Sequence, residues 1–256
     1  MDFDAIRRMA DPIQRIRAVY EIFDEESRLQ GQAASVEFLS SMELIGEKLP
    51  RKARILDLGA GTGRYSLALA AMGHQVHAVE LVEKHARMMV DKRQPGMELV
   101  VQCADALTAL DRLPDNSFDA VLCMGPLYHL HDDQERLQCL RACARVCKPE
   151  GFVYAAFING DMVIITQTLL YDGGSYLTSG HFDPQRFDLV DFPFKFDTLE
   201  EAEALCAASG LQMEVQMGSD GLNELHGAAV DAFTPEEFAV WLRFHLYCCR
   251  KRHFLG

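Results

Sequence analysis

The sequence predicts an α/β fold in which a mostly parallel sheet carries helices on both faces. Two observations carry this expectation. From Arg54 onward, short apolar runs alternate with helical patterns, the signature of repeated βαβ units. The first run, Ile55-Leu56-Asp57-Leu58, leads at once into the glycine-dense turn Gly59-Ala60-Gly61-Thr62-Gly63 and then a helix.

The elements follow in order. Residues 1–50 read as helical: Pro12 suits a first turn, and Ile13, Ile16, Val19, Tyr20 and Phe23 recur at helical spacing. Gly31 interrupts this run before a second helix over about 33–48. Strands are expected at 54–58, 75–79, 97–102, 118–123 and 152–158, with helices at 63–72, 82–93, 133–147 and 199–209. Between Asn159 and Asp197 the alternation gives way to glycines, prolines and dense aromatics, among them Tyr171, Tyr176, Phe182, Phe187, Phe192, Phe194 and Phe196. This stretch reads as a cap inserted after the fifth strand, with extended structure hinted from Phe187 to Phe194. A further strand is expected at 211–217. Thr234-Pro235-Glu236-Glu237 has the composition of a helix start. The expected organisation is a helical cap over 1–50 and one domain over 51–256 with the inserted cap at 159–197.

Composition narrows the function classes. A chain of 256 residues, 49% hydrophobic and 25% charged, can bury a substantial core. The formal net charge of −13 repels phosphate backbones, and Arg250-Lys251-Arg252 is the only basic cluster, which weighs against a nucleic-acid partner. No apolar run is long enough to span a bilayer, and the segment from Met1 to Arg8 lacks a signal-peptide core, so a cytoplasmic location without membrane contact is expected. Eight cysteines include Cys139, Cys143 and Cys147 on one helical face, but no C-x-x-C. Core packing in a reducing compartment is the preferred reading over a metal or disulfide one, thiol chemistry directed at arsenite being the remote alternative.

The glycine turn points to a ligand. Glycines at a helix N-terminus let the backbone approach closely, while Asp57 puts negative charge where a phosphate would want positive. The spacing is G-x-G-x-G: the last slot of a dinucleotide G-x-G-x-x-G is filled by Arg64 or Ser66. A second strand, ending in Val79-Glu80, places an acid twenty-three residues after Asp57, near the offset of a ribose-binding carboxylate. Together these favour a nucleoside cofactor with a cationic group.

These residues resemble motif I of the class I S-adenosylmethionine (SAM) dependent methyltransferases, and the resemblance covers about residues 50–160. It implies a Rossmann-like sheet and SAM as cofactor, with S-adenosylhomocysteine as product. It also implies that Gly59, Ala60, Gly61, Thr62 and Gly63 line the methionine part and that Asp57 lies near its amino group. Glu80 would take the ribose hydroxyls and Leu81 would pack on adenine. Asp105 would receive the adenine amino group beside an Ala106 backbone donor, its alternative role being a helix cap. Met124 ends the fourth strand beside the cofactor, and Tyr20 could face the sulfonium. Members of this class usually finish with a seventh, antiparallel strand, for which the residues up to Gly256 leave little chain, so that strand is expected to be missing.

On the acceptor side stands Gly125-Pro126-Leu127-Tyr128-His129-Leu130. It departs from the [DN]-P-P-[YFW] of DNA adenine and protein glutamine methyltransferases. Its Tyr-His-Leu form resembles bacterial small-molecule enzymes of the ubiquinone/menaquinone-biosynthesis type, as Lys148-Pro149-Glu150-Gly151 resembles their K-P-G-G turn. His129 is the candidate general base, as an imidazole near its ordinary pKa, and Tyr128 the residue that positions acceptor or cofactor. His131, Asp132 and Asp133 read as a helix start, and no metal is expected. The expected activity is methyl transfer to a small molecule, at N, O, C or S, with a neutral or cationic acceptor such as an amine favoured. The alternatives are an RNA or protein methyltransferase, with a basic or extended groove beside 125–131, and a SAM-binding protein without catalysis.

Overall fold

The computed structural model describes residues 5–6, 8–28, 31–160, 163–164, 180, 182–183, 188–189, 193–219, 231–239 and 242. They fall in two compact units, Met1–Asp24 with Leu49–Gln212, and Glu25–Lys48 with Met213–Gly256. The dividing line therefore runs within the N-terminal helical segment.

Helix α1 (Pro12–Ile22) opens where Asp11 Oδ1 accepts the N–H groups of Ile13 and Gln14, with proline at a position that needs no N–H. In the second unit, α2 (Glu25–Arg28) and α3 (Gln32–Lys48) are separated at Gly31, whose φ of +94° stops a right-handed helix.

The first unit is built on five parallel strands: β1 (Arg54–Leu58), β2 (Gln75–Glu80), β3 (Leu99–Cys103), β4 (Phe118–Cys123) and β5 (Cys147–Ala155). Their order is β3-β2-β1-β4-β5. The crossovers carry α4 (Arg64–Ala71), α5 (Glu83–Lys92), α6 (Ala106–Leu110) and α7 (Asp133–Val146). From Ile55 to Leu58, β1 is buried and apolar apart from Asp57 because both its faces are covered. Leu56 and Leu58 point into a core with Val121, Cys123, Leu110, Cys139, Leu140 and Cys143, which α6 and α7 complete. Asp57 points to the other face, where Ser66 of α4 meets it. The order reverses between β1 and β4, so the crevice outside their carboxyl ends lies at a topological switch point.

Between residues 54 and 209 the expected strands and helices form within a few residues, and α6 is an addition. β5 begins earlier than expected: Phe118 pairs with Cys147 and Ala120 with Phe152, so Lys148-Pro149-Glu150-Gly151 bulges from the ladder rather than preceding it. The chain then continues as β6 (Ile158–Asn159). β7 (Phe182–Asp183) pairs antiparallel with β8 (Asp188–Leu189), and β9 (Phe196–Asp197) returns parallel to β6. Most of the expected cap, including Tyr171, Tyr176, Phe187 and Phe192, lies outside the described residues. Helix α8 (Leu199–Ala208) starts in a reciprocal capping box between Thr198 and Glu201.

One expected strand does not form. Residues 211–218 carry no ladder, and Met213 and Val215 are exposed, so their alternation has no buried face to fix it. The helix start at Thr234 does form, with Thr234 and Glu237 capping each other. Among the described residues no antiparallel strand joins the five-stranded sheet, and no helix is long and apolar enough to cross a membrane.

Candidate active site

The loop after β1 turns at Gly59, Gly61 and Gly63, with φ of +68°, +56° and +90°. A Cβ on Gly63 would lie 2.5 Å from Met89 Cγ of α5. The loop after β4 lies directly against this one: a Cβ on Gly125 would stand 2.8 Å from the Gly59 carbonyl oxygen. Two loops therefore close the switch point backbone to backbone, which only glycine permits. Gly125→Ala is expected to push them apart, lowering stability by about 1–3 kcal/mol together with ligand affinity. Thermal denaturation and calorimetry of the variant check this, and unchanged values would show that the close approach is dispensable.

The loop's donors are mostly consumed inside the protein. Gly59 and Ala60 N–H both donate to the Val79 carbonyl, Gly63 N–H to Ala60 O, and Gly61 N–H to Glu80 Oε2 at 2.7 Å. Glu80 Oε1 accepts from Val82 N–H at 2.7 Å. The turn is thus braced by a buried carboxylate rather than opened as an anion nest. Asp57 adds a second acid, accepting the Ser66 hydroxyl at 2.6 Å. Burial pushes Asp57 up to about 6 and the Glu80 charge adds to this, while the Ser66 bond opposes it. Two carboxylates at the ends of adjacent strands make a place for a cation.

The titration has a definite sign. The folded value of Asp57 exceeds its ordinary one, so its protonated form stabilises the fold below about pH 4. That contribution is lost as pH rises through about 6. A cationic ligand needs the ionised form. Its affinity is therefore expected to fall about tenfold per unit below pH 6, and Asp57→Asn to flatten the profile. Calorimetry between pH 5 and 8 tests this; parallel profiles for both proteins would remove Asp57 from the site.

Tyr20, Tyr128 and His129 come together. The turn Pro126–Tyr128 is a single 3-10 turn. Tyr20 Oη lies 2.9 Å from His129 Nε2, and the His129 ring packs against Tyr20, Tyr128 and Phe194 at centroid distances of 5.5, 4.9 and 5.3 Å. His129 Nδ1 is buried without a hydrogen-bond partner among the described residues. Burial, assisted by His131, lowers the His129 pKa to about 4, against a smaller opposing effect of the Pro193 carbonyl. The imidazole is accordingly neutral at pH 7 and a weaker base than an ordinary histidine, which corrects the expectation of an unperturbed value.

The remaining expected residues fall as follows. Asp105 Oδ1 accepts from Thr108 N–H at 3.0 Å and caps α6, of which Ala106 is the first residue. Leu81 and Met124 are partly buried, just beyond the ends of β2 and β4. Asp132 caps α7 by accepting Gln134 N–H, and no metal-ligand group forms around His129 and His131 among the described residues.

Other participants escaped the sequence reading. His85 of α5 is buried with Nδ1 3.8 Å from Glu80 and its ring against Tyr20. Lys195 N–H donates to the Tyr128 carbonyl at 2.8 Å. Arg136 of α7 is buried: its Nε donates to Leu127 O, and its guanidinium pairs with Asp197 at 2.6 Å and lies over Phe157. Ser66, in the first turn of the helix after the glycines, was the one such residue that sequence position could have flagged.

Comparisons with known proteins agree with this geometry. A methyltransferase domain family matches residues 56–155. The ubiquinone biosynthesis O-methyltransferase of Xanthomonas oryzae pv. oryzae is 36% identical over 110 residues, covering 42% of this chain and 44% of that protein. The matched stretch thus spans less than half the length of such curated relatives. Among solved structures, a SAM-dependent methyltransferase from Methanosarcina mazei superposes with a TM-score of 0.54 at 22% identity, covering 68% of this chain and 88% of the other. The magnesium protoporphyrin IX methyltransferase of Synechocystis PCC 6803, solved with SAH bound, gives 0.57 at 16% identity over 81% and 93%. Residues 56–155 thus resemble a methyltransferase domain, and the sheet order with its glycine loop and braced acid shares the fold of solved SAM-dependent methyltransferases.

Proposed function

We propose that this protein binds SAM and transfers its methyl group to a small-molecule acceptor. The observation that carries the reading is the switch-point loop, where the N–H groups of Gly59, Ala60, Gly61 and Gly63 are spent internally and the neighbouring charges are the carboxylates of Asp57 and Glu80. Such a site repels a pyrophosphate and suits a nucleoside bearing ammonium and sulfonium charges.

The residues present fit that cofactor. Gly59, Gly61 and Gly63 leave the backbone of the turn from Gly59 to Gly63 bare for the methionine part, and Asp57 faces its ammonium group. Glu80 retains acceptor capacity beyond the two backbone bonds it already makes, for the ribose hydroxyls. Leu81, Asp105, Ala106 and Met124 take the adenine side. When bound, SAM supplies a methyl group activated by the sulfonium.

The chain's own groups do the rest. Tyr20 of α1 and the segment 193–197 close over the Pro126–Tyr128 turn and exclude water. Tyr128 and His129 face the acceptor. In the tautomer that leaves Nδ1 able to take a proton, His129 Nε2–H donates to Tyr20 Oη, and this bond fixes the ring. The net charge of −13 supports a neutral or cationic small molecule over a nucleic acid. The described cysteines are free thiols, which suits the reducing cytoplasm.

Calorimetric titration with SAM, S-adenosylhomocysteine and NAD tests the cofactor. The first two are expected to bind and stabilise the fold by about 2.7 kcal/mol at a hundred times Kd. Binding of NAD alone would overturn the reading. An acceptor screen that detects S-adenosylhomocysteine release then tests the transfer, with His129→Ala as the comparison.

A further inference from the structure

We propose that Cys123, Cys139 and Cys143 form a buried three-thiol site for a trivalent, three-coordinate metalloid, which arsenous acid would supply. Cys123 ends β4, while Cys139 and Cys143 lie one turn apart on α7. Their sulfurs all lie within 4.8 Å of one another, with Cys123 and Cys139 at 3.8 Å. Sulfurs on one pyramidal trivalent centre stand closer together than the tetrahedral spacing of roughly 3.8 Å, so side-chain rotations that draw the three inward assemble the set.

Charge selects the occupant. All three residues are fully buried in the apolar core, with Leu56, Leu58, Val121, Leu140 and Val146 around them. No histidine, carboxylate or further thiol completes a larger ligand group among the described residues. Structural zinc takes four protein ligands, and zinc on three thiolates would also bury an uncompensated negative charge. A monovalent soft ion would bury more. Uncompensated charge in such a core is strongly disfavoured. A trivalent centre on three thiolates is neutral.

The exchange balances. Arsenous acid is uncharged at neutral pH; three As–O bonds break, three As–S bonds form, and each thiol proton leaves with hydroxide as water. Oxidation states do not change. Entry to a fully buried site requires local opening, so uptake is slow and accelerates in mild urea.

The test equilibrates the full chain with arsenite, removes the excess, and measures arsenic content and arsenic-edge X-ray absorption. The expected result is one arsenic per chain with three sulfur neighbours and no oxygen. Cys123→Ala, Cys139→Ala and Cys143→Ala are each expected to abolish this retention. Cys103→Ala, Cys147→Ala and the paired Cys248→Ala with Cys249→Ala are expected to keep it. Absence of binding, two sulfurs with an oxygen, or retention by the three core variants overturns the proposal, as does zinc outcompeting arsenite. Should the core variants fail to fold, the absorption spectrum of the unaltered chain decides by itself.

Discussion

Arg136→Met is expected to destabilise the protein by about 3–5 kcal/mol, the cost of breaking a buried ion pair from one side. Arg136 and Asp197 are nearly inaccessible, 2% and 4% exposed; Asp197 Oδ2 accepts the guanidinium bond, and Oδ1 has no hydrogen-bond partner among the described residues. The substitution strands that carboxylate, frees the Leu127 carbonyl and unties the Pro126–Tyr128 turn from β9. Burial already raises the Asp197 pKa in spite of the guanidinium, so without Arg136 the carboxyl takes up a proton more easily. The loss is therefore expected to be smaller at pH 5 than at pH 8. The double variant Arg136→Met with Asp197→Leu is expected to regain most of the stability, since a well-packed apolar pair replaces buried charges with little penalty. Urea denaturation of all four proteins closes the cycle. A single variant within 1 kcal/mol of the parent would show that the pair does not hold the turn.

Glu80→Ala is the second large effect. It leaves the Gly61 and Val82 N–H groups without their acceptor, at about 1–3 kcal/mol for each buried group left unpaired. It also removes the carboxylate assigned to the ribose. The two losses are separable. Glu80→Gln keeps an acceptor oxygen but sets an amide nitrogen against one of the two N–H groups, so it is expected to recover part of the stability while SAM affinity stays at least tenfold reduced. Thermal denaturation reads the first term and calorimetry the second. Full SAM affinity in Glu80→Ala would remove this residue from the cofactor site.

The loop's own hydrogen bonds give the cofactor reading a reason that glycine spacing lacks. G-x-G-x-G describes which residues can turn tightly; the bonds of Gly59, Ala60, Gly61 and Gly63 state where their N–H groups already point. Spent on Val79, Glu80 and Ala60, they cannot also cradle a pyrophosphate. His129 shows the reverse case. Its position beside Tyr128 made it a natural base, but the aromatic shell that holds it also desolvates it and lowers its pKa.

The five parallel strands, their crossover helices and the acids at the ends of β1 and β2 were legible in the chain, because local apolar periodicity and turn chemistry are encoded within a few residues. The capping roles of Asp105, Asp132, Thr198 and Thr234 are equally local. Only the tertiary structure decided the rest. Arg136 meets Asp197 and Cys123 meets Cys139 across 61 and 16 residues, and no short-range pattern marks such encounters. The exposed 211–218 stretch had a strand's alternation but no partner edge, and pairing rather than alternation makes a strand. Titration likewise depended on the fold: Asp57 and His129 take their pKa values from burial, which the chain acquires only when distant segments close around them.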